Sequence, residues 1–496
     1  MRSFLIAVLA CTSLANVACS KSDTKAAGNG GTTSAAHGHG NGGGGTTSSV
    51  TPDAGPVAGG ENCSSAAGAN DTNLTVYRPE IGAHVLGALA GALVVRIARD
   101  PLTGGVYYMN QDGQFWLLNL ATGESTAVDM GVSGHDFRGM TFGPDGTLYV
   151  LGNEGTLGVE TSVLIQKGTL GDAGTRTWTT IATSDRYPAG SSDLNHRFGG
   201  LTISPDGQWL YFGSGSRTDH GEKQGSQREV PLTSAIFRVP VDAHDLMLQN
   251  DATVLQPYLY ADGFRNPFEM EFNGEAELFA IDNGPDIDLP DEINWVREGN
   301  SYGFPWRFGA EANPVLQSDY RGTGDQRLHA GYQAFDLGTY KYDSTFPAAP
   351  ANVQLVDPIL NHGPDGDHFR SGPDSDVLDA SQMGQTLAGV TAHRSPLGLA
   401  FDTAGSLCGE YKGAGFALSF GAVQDVMGDP GGDLLMLQMS KVSGAYEMHA
   451  TQLVAGFLGP VDSLLIGNKL YVIEFTGDAG NIYEISLPET VAPTFR

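Results

Sequence analysis

Basic side chains are scarce in this sequence. Its 496 residues include 27 lysines and arginines against 56 aspartates and glutamates, which gives a formal net charge of −29. Nucleic acids and anionic membrane surfaces are bound through clustered lysines and arginines. The composition therefore argues against both as partners, and it suits a neutral ligand such as a sugar, or divalent cations.

Long apolar runs are lacking in the body of the chain, where the longest, residues 85–95, is too short to cross a bilayer. The N-terminus differs, because Arg2 precedes an apolar run over residues 4–14 and then small residues up to Cys19. This pattern predicts an export signal peptide over residues 1–19. We expect a protein that is periplasmic, attached to the outer membrane or secreted.

Cys19 is where a bacterial lipoprotein would be lipidated and so attached to a membrane. Asn16 stands where such sites usually have Leu, and cleavage to a soluble form is the alternative. Residues 20–70 are rich in Gly, Ser and Thr and nearly devoid of apolar side chains, so they cannot offset the entropy of ordering. We predict a disordered linker over residues 20–70 and a folded domain over residues 71–496.

Cysteine is equally rare, with four in the whole chain. Cys11 and Cys19 fall in the signal segment or at its end, which leaves Cys63, at the N-terminal edge of the folded domain, and Cys408 within it. An exported protein can form a disulfide between them, and two buried free thiols are the alternative.

Helical periodicity is hard to find, and a longer repeat takes its place. Each copy, such as "FRGMTFGPDGTLYVLGNEG", reads as a strand, a tight turn and a second strand. Copies about 60 to 67 residues apart, with one double gap of about 130 residues, are typical of propeller blades that cannot each cover their own faces. We predict an all-β, six-bladed β-propeller, with seven blades as the alternative because residues 309–385 are irregular. The copies begin at Phe137, Phe198, Phe264, Ser395 and Gly459, and an earlier, more degenerate copy begins at Leu93.

Candidate site residues lie at the ends of two of these copies. His196 lies just before the Phe198 copy, while Arg265 and Asn266 lie at the start of the next copy, which ends on Gly284-Pro285. If the copies superpose as blades, these residues meet on one face.

The stretch "DNGPDIDLPDEINWVREGNSYGFPW", residues 282–306, is unusually acidic and contains a Gly-Pro step. Calcium accepts six to eight oxygen ligands, backbone carbonyls included. A Gly-Pro step can aim two successive carbonyls at one point, because Gly permits unusual φ values and Pro fixes the next φ. We predict a cation site here, and a solvated acidic turn is the alternative. The spacing does not fit an EF-hand loop.

Three segments, "NHRFGGLTISPDG", "GFRNPFEMEF" and the acidic stretch, resemble the glucose/sorbosone dehydrogenase family, which includes the soluble quinoprotein glucose dehydrogenases. Members of this family are six-bladed propellers that use pyrroloquinoline quinone (PQQ) and calcium. The resemblance implies an exported enzyme that oxidises an aldose or a related sugar and passes the electrons to an external acceptor.

The resemblance also implies roles for residues of this chain. His196 would be the general base, Arg265 would stabilise negative charge on the quinone, and Asn266 would contact the cofactor. Neutral imidazole can take a proton from a sugar hydroxyl, and a fixed cation stabilises charge that develops beside it.

The metal ligands implied by the resemblance fall in two halves of the acidic stretch. The carbonyls of Gly284 and Pro285 would hold a calcium ion that bridges to the quinone. Asp291, Glu292 and Tyr302 would hold a second, structural calcium ion.

Some positions depart from the family pattern. Asn195 stands where relatives have an Asp before the base, with Asp193 as a substitute, and Phe268 stands where they have Gln. The cofactor's carboxylates need cations, for which Arg197, Arg394 and Lys412 are candidates. These departures keep open an alternative function, a non-catalytic, calcium-stabilised propeller that binds a glycan or a protein. A lactonase-type hydrolase is a third hypothesis, but no ring of axial carboxylates and amides is recognisable.

Overall fold

The computed structural model describes residues 63–66, 69–156, 158–171, 174–190, 196–372, 376–422, 425–477 and 480–491. The predicted signal peptide, most of the predicted linker, Asp193 and Asn195 lie outside the described residues. Helices are few and short in the described part, which is built from strands. The α-helices are Ala252–Leu255 and Gln333–Asp336, and the 3₁₀ helices are Pro314–Leu316, Gly322–Gly324, Ser381–Met383 and Gly409–Tyr411.

Strands run through the whole described part of the chain. The first half contains β1 (Thr75–Val76), β2 (Gly82–Ala88), β3 (Val94–Arg99), β4 (Val106–Asn110), β5 (Phe115–Leu118), β6 (Ser125–Val128), β7 (Phe137–Phe142), β8 (Leu148–Glu154), β9 (Glu160–Leu170), β10 (Arg176–Ser184), β11 (Tyr187–Pro188), β12 (Phe198–Ile203), β13 (Trp209–Ser214), β14 (Ala235–Pro240), β15 (Leu246–Leu248) and β16 (Leu259–Asp262). The second half contains β17 (Pro267–Phe272), β18 (Leu278–Asp282), β19 (Glu292–Val296), β20 (Arg307–Phe308), β21 (Glu311–Ala312), β22 (Leu360–Asn361), β23 (His368–Phe369), β24 (Leu378–Asp379), β25 (Leu387–Ala388), β26 (Pro396–Phe401), β27 (Gly415–Ser419), β28 (Asp433–Val442), β29 (Ala445–Ala455), β30 (Pro460–Ile466), β31 (Lys469–Glu474) and β32 (Asn481–Ser486).

Within the described residues these strands form six sheets of three or more strands and two small two-stranded sheets. The larger sheets are β3-β4-β5-β6, β15-β10-β9-β8-β7 with β11, β12-β13-β14-β16, β17-β18-β19, β25-β22-β29-β28-β27-β26 with β1, and β2-β32-β31-β30. The small ones are β20-β21 and β23-β24.

The innermost strands of the six larger sheets form a closed ring. β3, β7, β12, β17, β26 and β30 contact one another in that order, and β30 contacts β3. The N-terminal β2 pairs with β32 and so completes the last sheet. The predicted all-β propeller is confirmed by this arrangement.

Each sequence repeat is the inner hairpin of one sheet. The copies beginning at Phe137 and Phe198 become the antiparallel pairs β7–β8 and β12–β13. The remaining copies become β3–β4, β17–β18, β26–β27 and β30–β31. The alternation of apolar side chains therefore predicted the hairpins. These apolar side chains are buried between neighbouring sheets and form the core.

One buried arginine ties the inner strands together. Arg96 on β3 donates hydrogen bonds to the carbonyls of Arg138 (2.7 Å) and Phe268 (3.0 Å), and its Nη1 lies 3.1 Å from the Glu269 carboxylate. Its guanidinium also stacks on the Phe268 ring, 4.6 Å from the centroid. Phe268 thus packs in the core near the axis.

A disulfide joins Cys63 to Cys408, which settles the alternative that the sequence left open. It attaches the segment before β1 to the loop after β26, where Cys63 also bridges to Thr490 and Leu407 to Glu489. None of the helices in the described residues is long and apolar enough to cross a membrane.

Replacing Cys63 by serine is expected to lower the free energy of unfolding by about 2–5 kcal/mol, because the bridge closes a long loop and so restricts the unfolded chain. Urea denaturation measures this loss. Cys408→Ser should cost the same, the double substitution no more, and reductant should destabilise only the parent protein. An unchanged unfolding midpoint in Cys63→Ser would contradict this role.

Candidate functional site

The hairpin geometry brings the predicted site residues to one end of the ring. β12 and β13 are antiparallel, so His196, just before β12, lies beside Ser216, just after β13. β17 and β18 are paired in the same way, which places Arg265 beside the Gly284-Pro285 step.

Backbone hydrogen bonds connect these loops directly. The His196 N–H donates to the Ser216 carbonyl (2.7 Å), and the Ser216 N–H donates to the Arg265 carbonyl (2.7 Å). Gly215 makes the close approach feasible, since a Cβ there would lie 2.3 Å from the His196 Cβ. The loops of the third and fourth sheets are therefore joined where His196 and Arg265 lie.

Ser216 also fixes the protonation pattern of the His196 ring. The Ser216 hydroxyl lies 3.3 Å from His196 Nδ1 and donates its one hydrogen to the Thr218 carbonyl at 2.6 Å. It can therefore only accept from the ring, which places the proton of the neutral imidazole on Nδ1 and leaves the Nε2 lone pair free. The neutral Ser216 adds no negative charge to the ring.

Burial and then the positive charge of Arg265 hold the pKa of His196 well below its usual value, with Arg138 acting in the same direction and Asp219 opposing them. The imidazole is therefore neutral at pH 7, as a proton acceptor must be.

Arg265 is buried in a dense network of acceptors. Its Nε donates to the Asp219 carbonyl (2.8 Å), its Nη2 to Asp219 Oδ1 (2.7 Å) and its Nη1 to the Asn283 carbonyl (3.2 Å). Its backbone N–H and that of Asn266 both donate to the Asp282 carboxylate. The guanidinium is held rigidly, and one full negative charge is already paired with it.

Asp219 connects Arg265 to two further elements. Its Oδ1 accepts the Asp286 N–H at 2.9 Å, and its Oδ2 lies 2.9 Å from His220 Nδ1. Although burial opposes the shift, Arg265 and His220 lower the pKa of Asp219 below its usual range. Asp219 therefore positions both the arginine and the loop that begins at Gly284.

The Gly284-Pro285 loop is shaped by close packing and by one carboxylate. The Gly284 N–H donates to Asp291 Oδ1 at 2.6 Å, and a Cβ on Gly284 would lie 2.7 Å from the Pro290 carbonyl oxygen. The Pro285 carbonyl accepts from the Ile287 N–H (2.8 Å), whereas the Gly284 carbonyl accepts no backbone hydrogen bond within the described segments. Glycine is required here, and carbonyl oxygens remain to serve as ligands.

The residues predicted to hold a structural calcium contact different neighbours. Asp291 Oδ2 accepts the Ser395 N–H (2.8 Å), and Glu292 Oε1 accepts the Gly309 N–H (2.7 Å). The Tyr302 hydroxyl donates to the Trp295 carbonyl at 2.6 Å.

Glu292 faces Asp282 across the β18–β19 pair. Burial, and then the negative charge of Asp282, raise the pKa of Glu292 to about 8, while burial raises that of Asp282 to about 7. Within the part of the chain that the structure describes, no group of three acidic, histidine or cysteine side chains is arranged to hold a metal. The structural calcium stays a prediction.

A charged cluster beside the loop was missed by sequence reasoning. The Asp288 carboxylate contacts His329 Nε2 (2.9 Å), Arg370 Nε (2.8 Å) and His393 Nε2 (2.8 Å). Burial opposes it, but these imidazoles lower the pKa of Asp288. Asp288 stands in the quoted acidic stretch, but its partners are 41 to 105 positions away with no common motif.

Two arginines suggested as cofactor cations are already paired with carboxylates. Arg197 Nη1 lies 2.6 Å from Asp136, and the fully buried Arg394 contacts Asp429 and Asp433. Arg197 thereby connects the loops before β7 and β12 of neighbouring sheets, whereas Arg394 connects the start of β26 to β28 within one sheet. Lys412 lies at the end of the 3₁₀ helix Gly409–Tyr411, in the loop between β26 and β27.

Fold and site together define a β-propeller with a half-buried histidine, a buried arginine and a Gly-Pro loop at one end of its inner strands. Residues 139–313 match the family model described as Glucose / Sorbosone dehydrogenase. This segment contains every predicted site residue from His196 to Tyr302, and the match confirms the resemblance to that family.

Solved structures match this chain at low sequence identity. The PQQ domain of pyranose dehydrogenase from Coprinopsis cinerea, in its holo form, is 13% identical, with a TM-score of 0.55 over 85% of this chain and 98% of that chain. The PQQ-bound aldose sugar dehydrogenase from Streptomyces coelicolor is 16% identical (TM-score 0.45; 84% and 98% covered). The apo aldose sugar dehydrogenase from Escherichia coli is 15% identical (TM-score 0.48; 82% and 99% covered). No curated protein matches the chain.

Proposed function

We propose that the protein is an exported PQQ- and calcium-dependent dehydrogenase that oxidises the anomeric carbon of an aldose or a related sugar. The observation that carries the proposal is the juxtaposition of His196, Arg265 and the Gly284-Pro285 loop within the segment that matches the family model. When bound, PQQ would accept the hydride from the sugar and pass the electrons to an external acceptor.

His196 would act as the general base. Its Nε2 lone pair is free because Ser216 holds the ring proton at Nδ1, and its lowered pKa keeps the ring neutral at pH 7. Nε2 would take the proton of the anomeric hydroxyl as C1 loses its hydride, which leaves a lactone. A base oriented by a hydroxyl rather than a carboxylate gains little stabilisation of the imidazolium.

Arg265 would stabilise negative charge that develops in the site. Its guanidinium is fixed by Asp219 and Asn283, so no reorganisation is needed during reaction. Asp219 offsets part of its charge, which makes the arginine a weaker electrostatic stabiliser than an unpaired one. Asn266, whose backbone is held by Asp282, would contact the cofactor.

The donor set at the Gly-Pro loop fits a calcium ion in part. The Gly284 and Pro285 carbonyls supply hard oxygen atoms, as calcium prefers. Asp286 lies next to them, and burial followed by the charge of Asp219 raises its pKa to about 6. A bound divalent cation would favour the ionised form of this carboxyl, and the remaining ligands would come from the quinone and from water.

We also infer that the ring has six blades, since six sheets with contacting first strands lie within the described residues. The signal peptide, the lipidation of Cys19 and the periplasmic or outer-membrane location remain proposals based on residues 1–19.

Reconstitution tests the function. Purified apo-protein supplied with calcium and PQQ is expected to reduce an electron-accepting dye when aldoses are added, and chelation of calcium before PQQ addition should prevent this. The controls are protein without PQQ and protein with a polyol that has no anomeric hydroxyl, and neither should reduce the dye.

The same preparation distinguishes the dehydrogenase from the alternative, a non-catalytic propeller that binds a glycan or a protein. The pairing of Arg265 with Asp219 and the lack of a charged partner for His196 within the described residues favour that alternative. Calcium-dependent melting without any change in the PQQ absorption spectrum would support the alternative and end the dehydrogenase proposal.

A further inference from the structure

A cavity of about 420 Å³ lies outside the candidate catalytic site. It is lined by the loop of residues 220–223 and by the inserted segment of residues 315–346, and its volume is that of a small-molecule site. The charged groups that line it are His220, Glu222, Lys223, Lys341 and Asp343.

The negative charges of the two acidic groups of the cavity are offset by cationic neighbours. Asp343 forms an ion pair with Arg228 at 2.5 Å, and the Arg228 guanidinium also lies over the Phe346 ring. Glu222 Oε2 accepts the His220 N–H at 2.9 Å and lies 3.4 Å from His220 Nδ1. Burial opposes the shift, but Glu222 and Asp219 raise the pKa of His220, so part of the negative charge of Glu222 is offset.

The two lysines of the cavity are not neutralised in this way. Lys223 Nζ donates to the neutral Thr345 hydroxyl at 2.8 Å. Within the described ranges, neither Lys223 nor Lys341 forms an ion pair with a carboxylate. In a protein with a net charge of −29, two exposed ammonium groups beside one cavity are an unusual local positive charge.

Contacts within the protein fix the walls of the cavity. His220 Nε2 contacts the Thr339 carbonyl at 3.2 Å, its ring packs on Tyr340 with centroids 4.1 Å apart, and Arg228 donates to the Gly221 carbonyl. Because both walls are fixed, little ordering entropy opposes binding. Leu337 and Phe346 add an apolar surface between the charged groups.

We propose that this cavity binds a small organic anion of sugar size, namely a sugar acid. Its carboxylate would be attracted by Lys223 and Lys341, and its hydroxyls would donate to the oxygens of Glu222 and Asp343. Its carbon chain would pack on Phe346. The inference does not depend on quinone chemistry, because it concerns a cavity outside the candidate catalytic site and the unmodified apo-protein.

Calorimetric titration of full-length apo-protein with gluconate tests the inference. The parent protein is expected to bind gluconate and to bind sorbitol, a neutral ligand of similar size, at least tenfold more weakly. The double variant Lys223→Gln/Lys341→Gln should bind gluconate at least tenfold more weakly than the parent. The control is Lys469→Gln, which removes one lysine charge outside the cavity. Lys469 lies on β31 and pairs with Glu484 on β32, and this variant should bind gluconate as the parent does.

Three results would overturn the proposal. These are no heat of gluconate binding to the parent, equal affinity of the double variant, and equal affinity for acetate, which would indicate a site for any carboxylate rather than a sugar acid. Both lysines are exposed, so the variants are expected to fold, and equal melting temperatures verify this. Added salt should weaken gluconate binding, as expected for an exposed charge contact.

Discussion

Replacing His196 by glutamine is expected to lower kcat of the calcium- and PQQ-loaded enzyme by about 10²–10⁴-fold, the usual contribution of a general base. Glutamine fills similar space, but its amide cannot take a proton at pH 7. The affinity for PQQ and the melting temperature should change little, because the backbone bond from His196 to Ser216 does not involve the side chain.

The pH profile provides a second readout of the same group. Since burial and Arg265 lower the pKa of His196, the acid limb of kcat is expected well below pH 6.5. Ser216→Asp places a carboxylate beside Nδ1 and should move that limb to higher pH by favouring the imidazolium. An acid limb unchanged in Ser216→Asp, or a His196→Gln enzyme with full activity, would show that another group accepts the proton.

Local pattern was sufficient to predict the architecture and part of the site. Alternating apolar residues around a turn specify a hairpin within about 20 residues, and every repeat became the inner hairpin of a sheet. Since the first strand of a hairpin begins where the second ends, the repeats also predicted that His196, Arg265 and Gly284 would meet.

Long-range contacts were beyond that reasoning. Asp219 is 46 positions from Arg265 and 67 from Asp286 in the sequence, and it stands in a loop with no repeat pattern. Ser216 looks like any loop serine until β12 and β13 are paired. The sugar-acid cavity was equally invisible, because its two walls come from a loop and an irregular insertion. Charged residues that become neighbours only in the folded protein are far apart in the sequence, so their pairing shows no periodic pattern there.

Replacing Asp219 by asparagine is expected to lower the free energy of unfolding by about 3 kcal/mol or more at pH 7, because removal of one partner leaves a buried charge uncompensated. The fully buried Asp219 carboxylate is paired with Arg265 at 2.7 Å and contacts His220 and Asp286. Asparagine keeps the side-chain volume and some of the hydrogen bonds, so the loss of unfolding free energy measures mainly the contribution of the negative charge. Urea denaturation measures it.

The pH dependence of this stability loss and a charge-balanced double variant show whether the loss comes from the charge of Asp219. The pKa of Asp219 is lowered in the folded protein, so its stabilisation is complete above the unfolded value of about 3.9 and is lost as the pH falls through the folded value. The difference between parent and Asp219→Asn should therefore shrink below about pH 4, and it should also shrink as the pH rises through the raised pKa of His220, because Asp219 stabilises the protonated imidazole. Adding Arg265→Gln should cost less in the Asp219→Asn background than alone, because the charge it removes is then unpaired. Asp112→Asn, at an exposed carboxylate on a turn, should leave stability nearly unchanged. If Asp219→Asn is as stable as the parent, or if the two substitutions are additive, Asp219 does not hold Arg265 in place by charge, and the arginine must be positioned by its backbone contacts alone.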